Sequence, residues 1–336
     1  MDNNIEKLTI TEPESIDNLL VVSPTPHIKN QRNTRSIMLE VIAALLPALI
    51  WSIYVFGYRA ALVTLVSVGS AVAFEWIFQL ITHKPVTIRD GSAALTGLLL
   101  AFNLSSLVPL WLPVIGTLFA IVVVKQLFGG IGKNFLNPAL AARVFLFAAW
   151  PSLMTKFPDI LNVDATASAT PLALIKSGIV PDQSIGDMFF GNCSGCIGEV
   201  SAFLLIIGGV YLLVRKIITW QIPVSFISII ALLSFIFPKE GFGNLDYMAY
   251  SLFSGGVMLA AFFMATDYVT SPITKVGKLI FGAGAGLIVI FIRWFGGYSE
   301  GVSFAILIMN SLVWYIDRAT KPRVFGQLRG GKKKNV

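Results

Sequence analysis

Residues 91–116 read GSAALTGLLLAFNLSSLVPLWLPVIG, and residues 255–277 read GGVMLAAFFMATDYVTSPITKVG. Each stretch opens on glycine and runs through small, apolar residues to one polar side chain, Asn103 or Asp267. Each then passes Ser/Thr and Pro and closes on glycine. Downstream, FGGIGKNFLNPAL (128–140) parallels FGGYSEGVSFAIL (295–307). The spacing from Gly91 to Gly129 is 38 residues and from Gly255 to Gly296 it is 41, so order and spacing both recur and indicate an internal repeat.

Apolar runs extend on both sides of these stretches. In the first half they cover 37–57 (with Pro47 inside), 60–82, 91–104, 108–127 and 137–150. In the second half they cover 200–214, 222–237, 252–265, 277–295 and 301–316. A helix needs about 20 apolar residues to cross a bilayer, so several of these runs are too short to cross without tilting or a broken partner. Five spans per half is an odd number, which turns the second half upside down relative to the first. Inverted repeats with Gly/Pro-interrupted helices are a transporter-like plan, with a ligand or ion path at the repeat interface. The expected fold is an all-α polytopic membrane protein of about ten transmembrane helices in two inverted five-helix repeats, some short or broken.

Composition agrees. Of 336 residues, 55% are hydrophobic and only 13% charged, against about 25% charged for a soluble domain. A soluble enzyme, a nucleic-acid binder and a disordered chain are thereby excluded, and membrane lipid is the expected surrounding. Residues 1–35 are polar and hold no signal-peptide apolar region. With the N-terminus inside and ten alternating spans, 19 Lys/Arg fall inside and 5 outside, with Arg143 within a span. This positive-inside asymmetry makes both termini cytoplasmic. The expected organisation is a cytoplasmic segment 1–36, a first membrane repeat 37–150, an extracytoplasmic loop 151–198, a second repeat 199–317 and a basic tail 318–336.

Few ionisable residues lie in or beside spans, and each is a functional candidate because a charge in hydrocarbon is costly. Glu40 and Glu300 sit near span ends, where water reaches them. Glu75 lies about two turns from the end of its span and is either snorkelling or part of an ion path. Asp267, at the break of a repeat element, suits an ion path or a helix cap. Arg143 precedes the extracytoplasmic loop, where its guanidinium can serve a phosphate or a neighbouring acid. Cys193 and Cys196 form a C-x-x-C, either inert, a disulfide, or half of a metal site completed elsewhere; two thiolates are too few for a cluster in this chain. His27 and His83 stand singly, no metal site is expected, and neither a dinucleotide-binding nor a P-loop fingerprint is present.

The extracytoplasmic loop contains Asp164-Ala-Thr166-Ala-Ser168-Ala169-Thr170-Pro171-Leu172. Read alone, this is a helix start with Thr170 as N-cap and Pro171 at the first helical position. Other segments accompany it: Ser23-Pro-Thr-Pro-His-Ile28, the 128–140 stretch, Gly195-Cys-Ile-Gly-Glu-Val-Ser201, Met264-Ala-Thr-Asp267 with Thr270-Ser-Pro272, residues 300–307, Ile316-Asp-Arg318 and Lys321-Pro-Arg323. Together they resemble the RnfD family of Rnf-type ion-translocating ferredoxin:NAD oxidoreductases, kin to the NqrB family of the Na-pumping NADH:quinone reductases, over nearly the whole chain. The resemblance implies FMN esterified through its phosphate to Thr170, within a motif that includes Asp164, Ser168 and Ala169. Ser168 stands where many relatives carry glycine, and Thr166 lacks the expected register. It further implies a second, non-covalent riboflavin, for which Asn134 and Asn137 are polar candidates at a helix break. The implied partners are the other membrane, flavin and iron–sulfur subunits and a flavin transferase, with NAD and ferredoxin handled by those subunits. The implied role is a flavin-bearing subunit of a redox-driven Na+ or H+ pump in a prokaryotic cell membrane. Against it stands a stand-alone channel or carrier for a small polar solute, which the repeat alone equally allows.

Overall fold

The computed structural model describes residues 33–158, 170–181, 183–239 and 241–322. Asp164, Ser168 and Ala169 therefore lie outside the described residues, as do the termini. The first half contains α1 (Thr34–Phe56), α2 (Tyr58–Ile81), α3 (Ser92–Phe102), α4 (Trp111–Gln126) and α5 (Pro138–Ala149). Three short helices follow, α6 (Pro151–Met154), α7 (Pro171–Lys176) and α8 (Ile185–Phe190). The second half contains α9 (Ala202–Val214), α10 (Gln221–Ile236), α11 (Asn244–Phe253), α12 (Val257–Met264), α13 (Lys275–Phe295) and α14 (Val302–Thr320).

Each of the ten apolar runs coincides with a helical segment among the described residues. Helices α1, α2, α13 and α14 are long and apolar enough to cross a membrane. At 1.5 Å per residue they reach roughly 28–36 Å, against a hydrocarbon core of about 30 Å. Helices α3, α4, α5, α9 and α10 are shorter. The eighth run is a broken element: α11 and α12 meet at 62°. The sequence reading places only its second arm, because Asn244-Leu-Asp-Tyr-Met-Ala-Tyr is too polar to register as a span.

Exposed apolar side chains such as Ile50, Tyr54, Leu65 and Ile81 cover the outward faces of α1 and α2. Residues buried without exposure, among them Leu45, Phe102, Leu140, Phe226 and Phe281, fill the interior. Small residues set the closest helix approaches, as expected where lipid removes the hydrophobic drive between helices. Gly282 and Gly286 bring α13 onto α10: a Cβ would stand 2.7 Å from the Ile222 carbonyl and 2.9 Å from that of Phe226. The opening helices of the two halves also touch, with a Cβ on Gly208 of α9 only 2.5 Å from the Ala44 carbonyl of α1. Their closing helices, α5 and α14, pack together as well.

The breaks position everything that follows. After α3 the chain runs irregularly through Asn103, Leu104, Ser105 and Ser106, all buried. Irregular backbone at membrane depth is tolerated only when enclosed by protein. Here the 3-10 turn Ile197–Glu199 covers it, with Ile197 N donating to Leu104 O at 2.9 Å. Gly198 is required by contact, since a Cβ would fall 2.5 Å from Phe102 Cβ.

Candidate functional site: two cavities at the helix breaks

The first cavity, about 80 Å³, is where Thr170, Arg143, Glu199, Glu300, Tyr298 and Phe304 meet. Thr170 is the N-cap of α7, its Oγ1 accepting from Ala173 N at 3.3 Å with Pro171 next. The threonine thus starts a helix, as its sequence context predicts, and it lines the cavity. Arg143 comes from α5, is 8% exposed, and forms a bidentate pair with Glu300. Its Nη1 also donates to Asn103 Oδ1 at 2.8 Å and Ser303 Oγ at 3.2 Å, and its Nη2 stands 3.8 Å from Glu199 Oε1. A neighbouring acid is therefore the partner the structure gives Arg143. Glu300, read from the sequence as lying near a span end where water reaches it, keeps 19% of its side chain exposed while it pairs with Arg143. Glu40 fits its solvent-accessible reading, paired with the half-exposed Arg215 at 2.9 Å. Tyr298 stacks on Phe304 at 5.2 Å and meets Phe147 edge-on at 5.1 Å, giving the cavity an aromatic wall.

The two cysteines do not bridge. Both thiols are free and buried, Cys196 facing the Arg143 guanidinium and Cys193 donating to the Val200 carbonyl. The two sulfurs contact different partners, and neither is bonded to the other. Burial, with Glu199 and Asp187 nearby, pushes the Cys193 thiol up to about 12.

The second cavity, about 430 Å³, lies at the Asp267 break and is walled largely by Leu95, Leu99, Leu212, Phe262 and Phe263. Asn134, Asn137, Ser92, Lys125, Thr266 and Asp267 supply its polar groups. Asp267 accepts from Thr270 Oγ1 at 3.1 Å and from Val269 N at 3.5 Å, the local capping pattern. Asn137 caps α5, accepting from Ala139 N at 3.1 Å, while its Nδ2 donates to Met264 O at 3.2 Å. One asparagine thus ties the break of α12 to the start of α5. Asn134 donates to Leu136 O at 3.0 Å.

Beside this cavity lies a cluster that sequence reasoning missed. Glu75 on α2 does not snorkel: its side chain is 1% exposed and paired with Lys125 Nζ at 3.0 Å. Gln126 donates to Glu75 at 2.8 Å and Gln79 at 3.3 Å, while Lys125 also donates to Ser92 Oγ at 2.6 Å. Ser92 Oγ in turn donates to Asp90 at 2.7 Å. Lys125 and Gln126 sit in the π-wound end of α4, Phe119–Gln126, and such windings recur at functional sites. The lysine counts as a loop charge in the sequence because it stands next to the Leu127-Phe-Gly-Gly exit. Arg293 is likewise buried in α13, bonding the Ser251 carbonyl at 2.6 Å. Removing one charge from each side leaves 18 against 4, so the charge asymmetry survives this correction.

The chain is 48% identical over 310 residues to the D subunit of the Na(+)-translocating ferredoxin:NAD(+) oxidoreductase complex of Acetobacterium woodii, covering 91% of this chain and 95% of that protein. It is 38% identical over 333 residues to the D subunit of the proton-translocating ferredoxin:NAD(+) oxidoreductase complex of Clostridium ljungdahlii, covering 95% and 100%. It is 35% identical over 351 residues to the D subunit of the ion-translocating oxidoreductase complex of Escherichia fergusonii, covering 92% and 99%. Residues 21–326 match one family description, and on that breadth of similarity the chain belongs to the NQR2, RnfD, RnfE family.

Proposed function

We propose that the chain is the flavin-carrying membrane subunit of an ion-translocating ferredoxin:NAD+ oxidoreductase complex. The observation that carries this reading is full-length similarity to the D subunits of such complexes, combined with the placement of Thr170. FMN is assigned to Thr170 through a phosphoester made by a flavin transferase. The residues present suit it: a capping threonine that lines the cavity, with the Tyr298–Phe304 stack as a flat aromatic wall. At about 80 Å³ the cavity is well below the roughly 300 Å³ of a typical ligand pocket, so the tethered ring belongs against the aromatic mouth. The flavin supplies the electron chemistry; this chain supplies its tether, its surroundings and nearby charge.

The second, non-covalent riboflavin is assigned to the Asp267 cavity, whose apolar walls and volume fall within the usual range for organic ligands. Asn134, Asn137 and Thr266 are the polar groups available to orient it. Asp267 and the Lys125 end of the Glu75 cluster open onto the same cavity, which makes them the ion-path residues of this proposal. The coupling ion is Na+ or H+, both termini are cytoplasmic, and the Thr170 cavity faces the opposite side of a prokaryotic cell membrane. The remaining subunits of the complex bring ferredoxin and NAD.

A covalent flavin survives denaturation, so the band of this chain is expected to fluoresce under ultraviolet light after a denaturing gel. Thr170→Ala is expected to abolish that fluorescence while the chain still inserts into membranes. Fluorescence retained in Thr170→Ala would overturn the site, and a dark wild-type band from cells that possess the transferase would overturn the tether.

A further inference from the structure

Two carboxylates converge on one guanidinium at the Thr170 cavity, and their surroundings are unequal. Glu300 takes the bidentate bond of Arg143 and also accepts from Gly256 N at 3.1 Å. Glu199 has 9% of its side chain exposed; its Oε2 accepts one long bond from Cys196 N at 3.5 Å, and its Oε1 has no hydrogen-bond partner. That orphan oxygen and Glu300 Oε1 stand 3.4 and 2.8 Å from the point a Cβ on Gly256 would occupy. The two acids therefore face each other across a glycine.

The other charged and titratable groups around Glu199 are accounted for. Arg143 on α5 directs its N–H groups to Glu300, Asn103 and Ser303 and leaves Glu199 a contact of 3.8 Å. Arg293 on α13 bonds the carbonyls of Ser251 and Ser254. Cys196 and Cys193 are buried thiols of its own segment. An ionised, buried oxygen without a hydrogen bond is costly. Two carboxylates sharing one site favour a state in which one of them holds a proton. Protonation turns the orphan acceptor into a donor aimed across Gly256 at Glu300. A metal cation would satisfy the same oxygen, but that oxygen lies 3.8 Å from the guanidinium, whose like charge would repel the cation.

We propose that Glu199 holds a proton shared with Glu300 across Gly256, and that this acid pair is the proton store for the redox group tethered at Thr170. The second half of the statement rests on the flavin reading above; the first half does not. When an electron from the complex's own donor reaches that group, the Glu199 O–H bond breaks and the proton bonds to the group. One electron and one proton reach the group together, so the group itself gains no net charge, and the one negative charge added to the cavity rests on Glu199. Arg143 holds the carboxylate left behind until solvent on the Thr170 side returns a proton.

The test uses the purified, lipid-reconstituted complex, wild type against Glu199→Gln. Infrared difference spectra of wild type minus variant at neutral pH are expected to show a protonated-carboxyl C=O band that shifts in D2O. The slope of the flavin midpoint potential against pH is expected to fall in the variant, with gel fluorescence unchanged. A band absent from the difference spectrum, or one removed by NaCl at constant ionic strength, overturns the proton assignment. An unchanged slope overturns the proton-store role. Glutamine reproduces the shape of a neutral carboxyl, so a variant that fails to insert also overturns the proposal. A wild-type band without flavin fluorescence sinks the tether alone and leaves the infrared result to decide Glu199.

Discussion

The Glu75–Lys125 pair allows a quantitative test of what holds the first half together. Both side chains are almost wholly buried, at 1% and 3% exposure, and the ammonium lies 3.0 Å from each carboxylate oxygen. Lys125→Met removes the charge while keeping most of the side-chain length. Glu75 then retains only the amides of Gln126 and Gln79. Leaving one buried ion unpaired costs about 3–5 kcal/mol, and Glu75→Gln is expected to cost a similar amount by stranding the ammonium on Ser92. The double variant Glu75→Gln/Lys125→Met strands neither charge. Neutral replacement of a buried pair is often nearly cost-free, so its loss should be at most about 1–2 kcal/mol, far below the sum of the singles. The assay is equilibrium unfolding in mixed lipid–SDS micelles, analysed as a double-mutant cycle. If the two single losses add in the double variant to within about 0.5 kcal/mol, the residues are not coupled and the reasoning fails.

Three further outcomes are expected, the first two from the structure and the third from the charge asymmetry of the sequence. Gly209→Ala should destabilise the chain by about 1–3 kcal/mol, because a Cβ there meets the Phe262 ring at 2.4 Å; Gly69→Ala, with nothing within 4 Å, should be neutral or better, and equal effects in the same unfolding assay would refute this. Because burial holds Cys193 near 12, about one thiol in a thousand is ionised at pH 9; alkylation by iodoacetamide should be slow and still climbing about tenfold per pH unit up to about pH 10, and a rate that levels off just above pH 9 would mean an accessible thiol. Single cysteines placed at Ser177 and Asn335 in a background lacking Cys193 and Cys196 should label from opposite sides of the membrane, Ser177 from outside; labelling of both from one side would refute the topology.

The helices themselves were legible from the amino acids, because lipid leaves a segment few alternatives to internal hydrogen bonding and the apolar runs must show. All ten runs coincide with helical segments, and the breaks after Asn103 and before Asp267 coincide with interrupted helices among the described residues. The broken arm Asn244–Phe253 is hidden in the sequence because protein, not lipid, surrounds much of it and its polar residues interrupt the run. Glu75 and Lys125 are 50 positions apart, and nothing local in either segment reports the other.

Sequence by itself determined the solvent the chain inhabits, the number of its apolar segments, and the helix start at Thr170. Tertiary structure alone decided which charges meet. Arg143 finds Glu300 at a separation of 157 residues, and Glu199 reaches the same guanidinium because Gly198 lets its turn lie against Phe102. Periodicity and composition are properties of neighbours along the chain, whereas the pairing of a buried charge depends on which distant backbone breaks face each other.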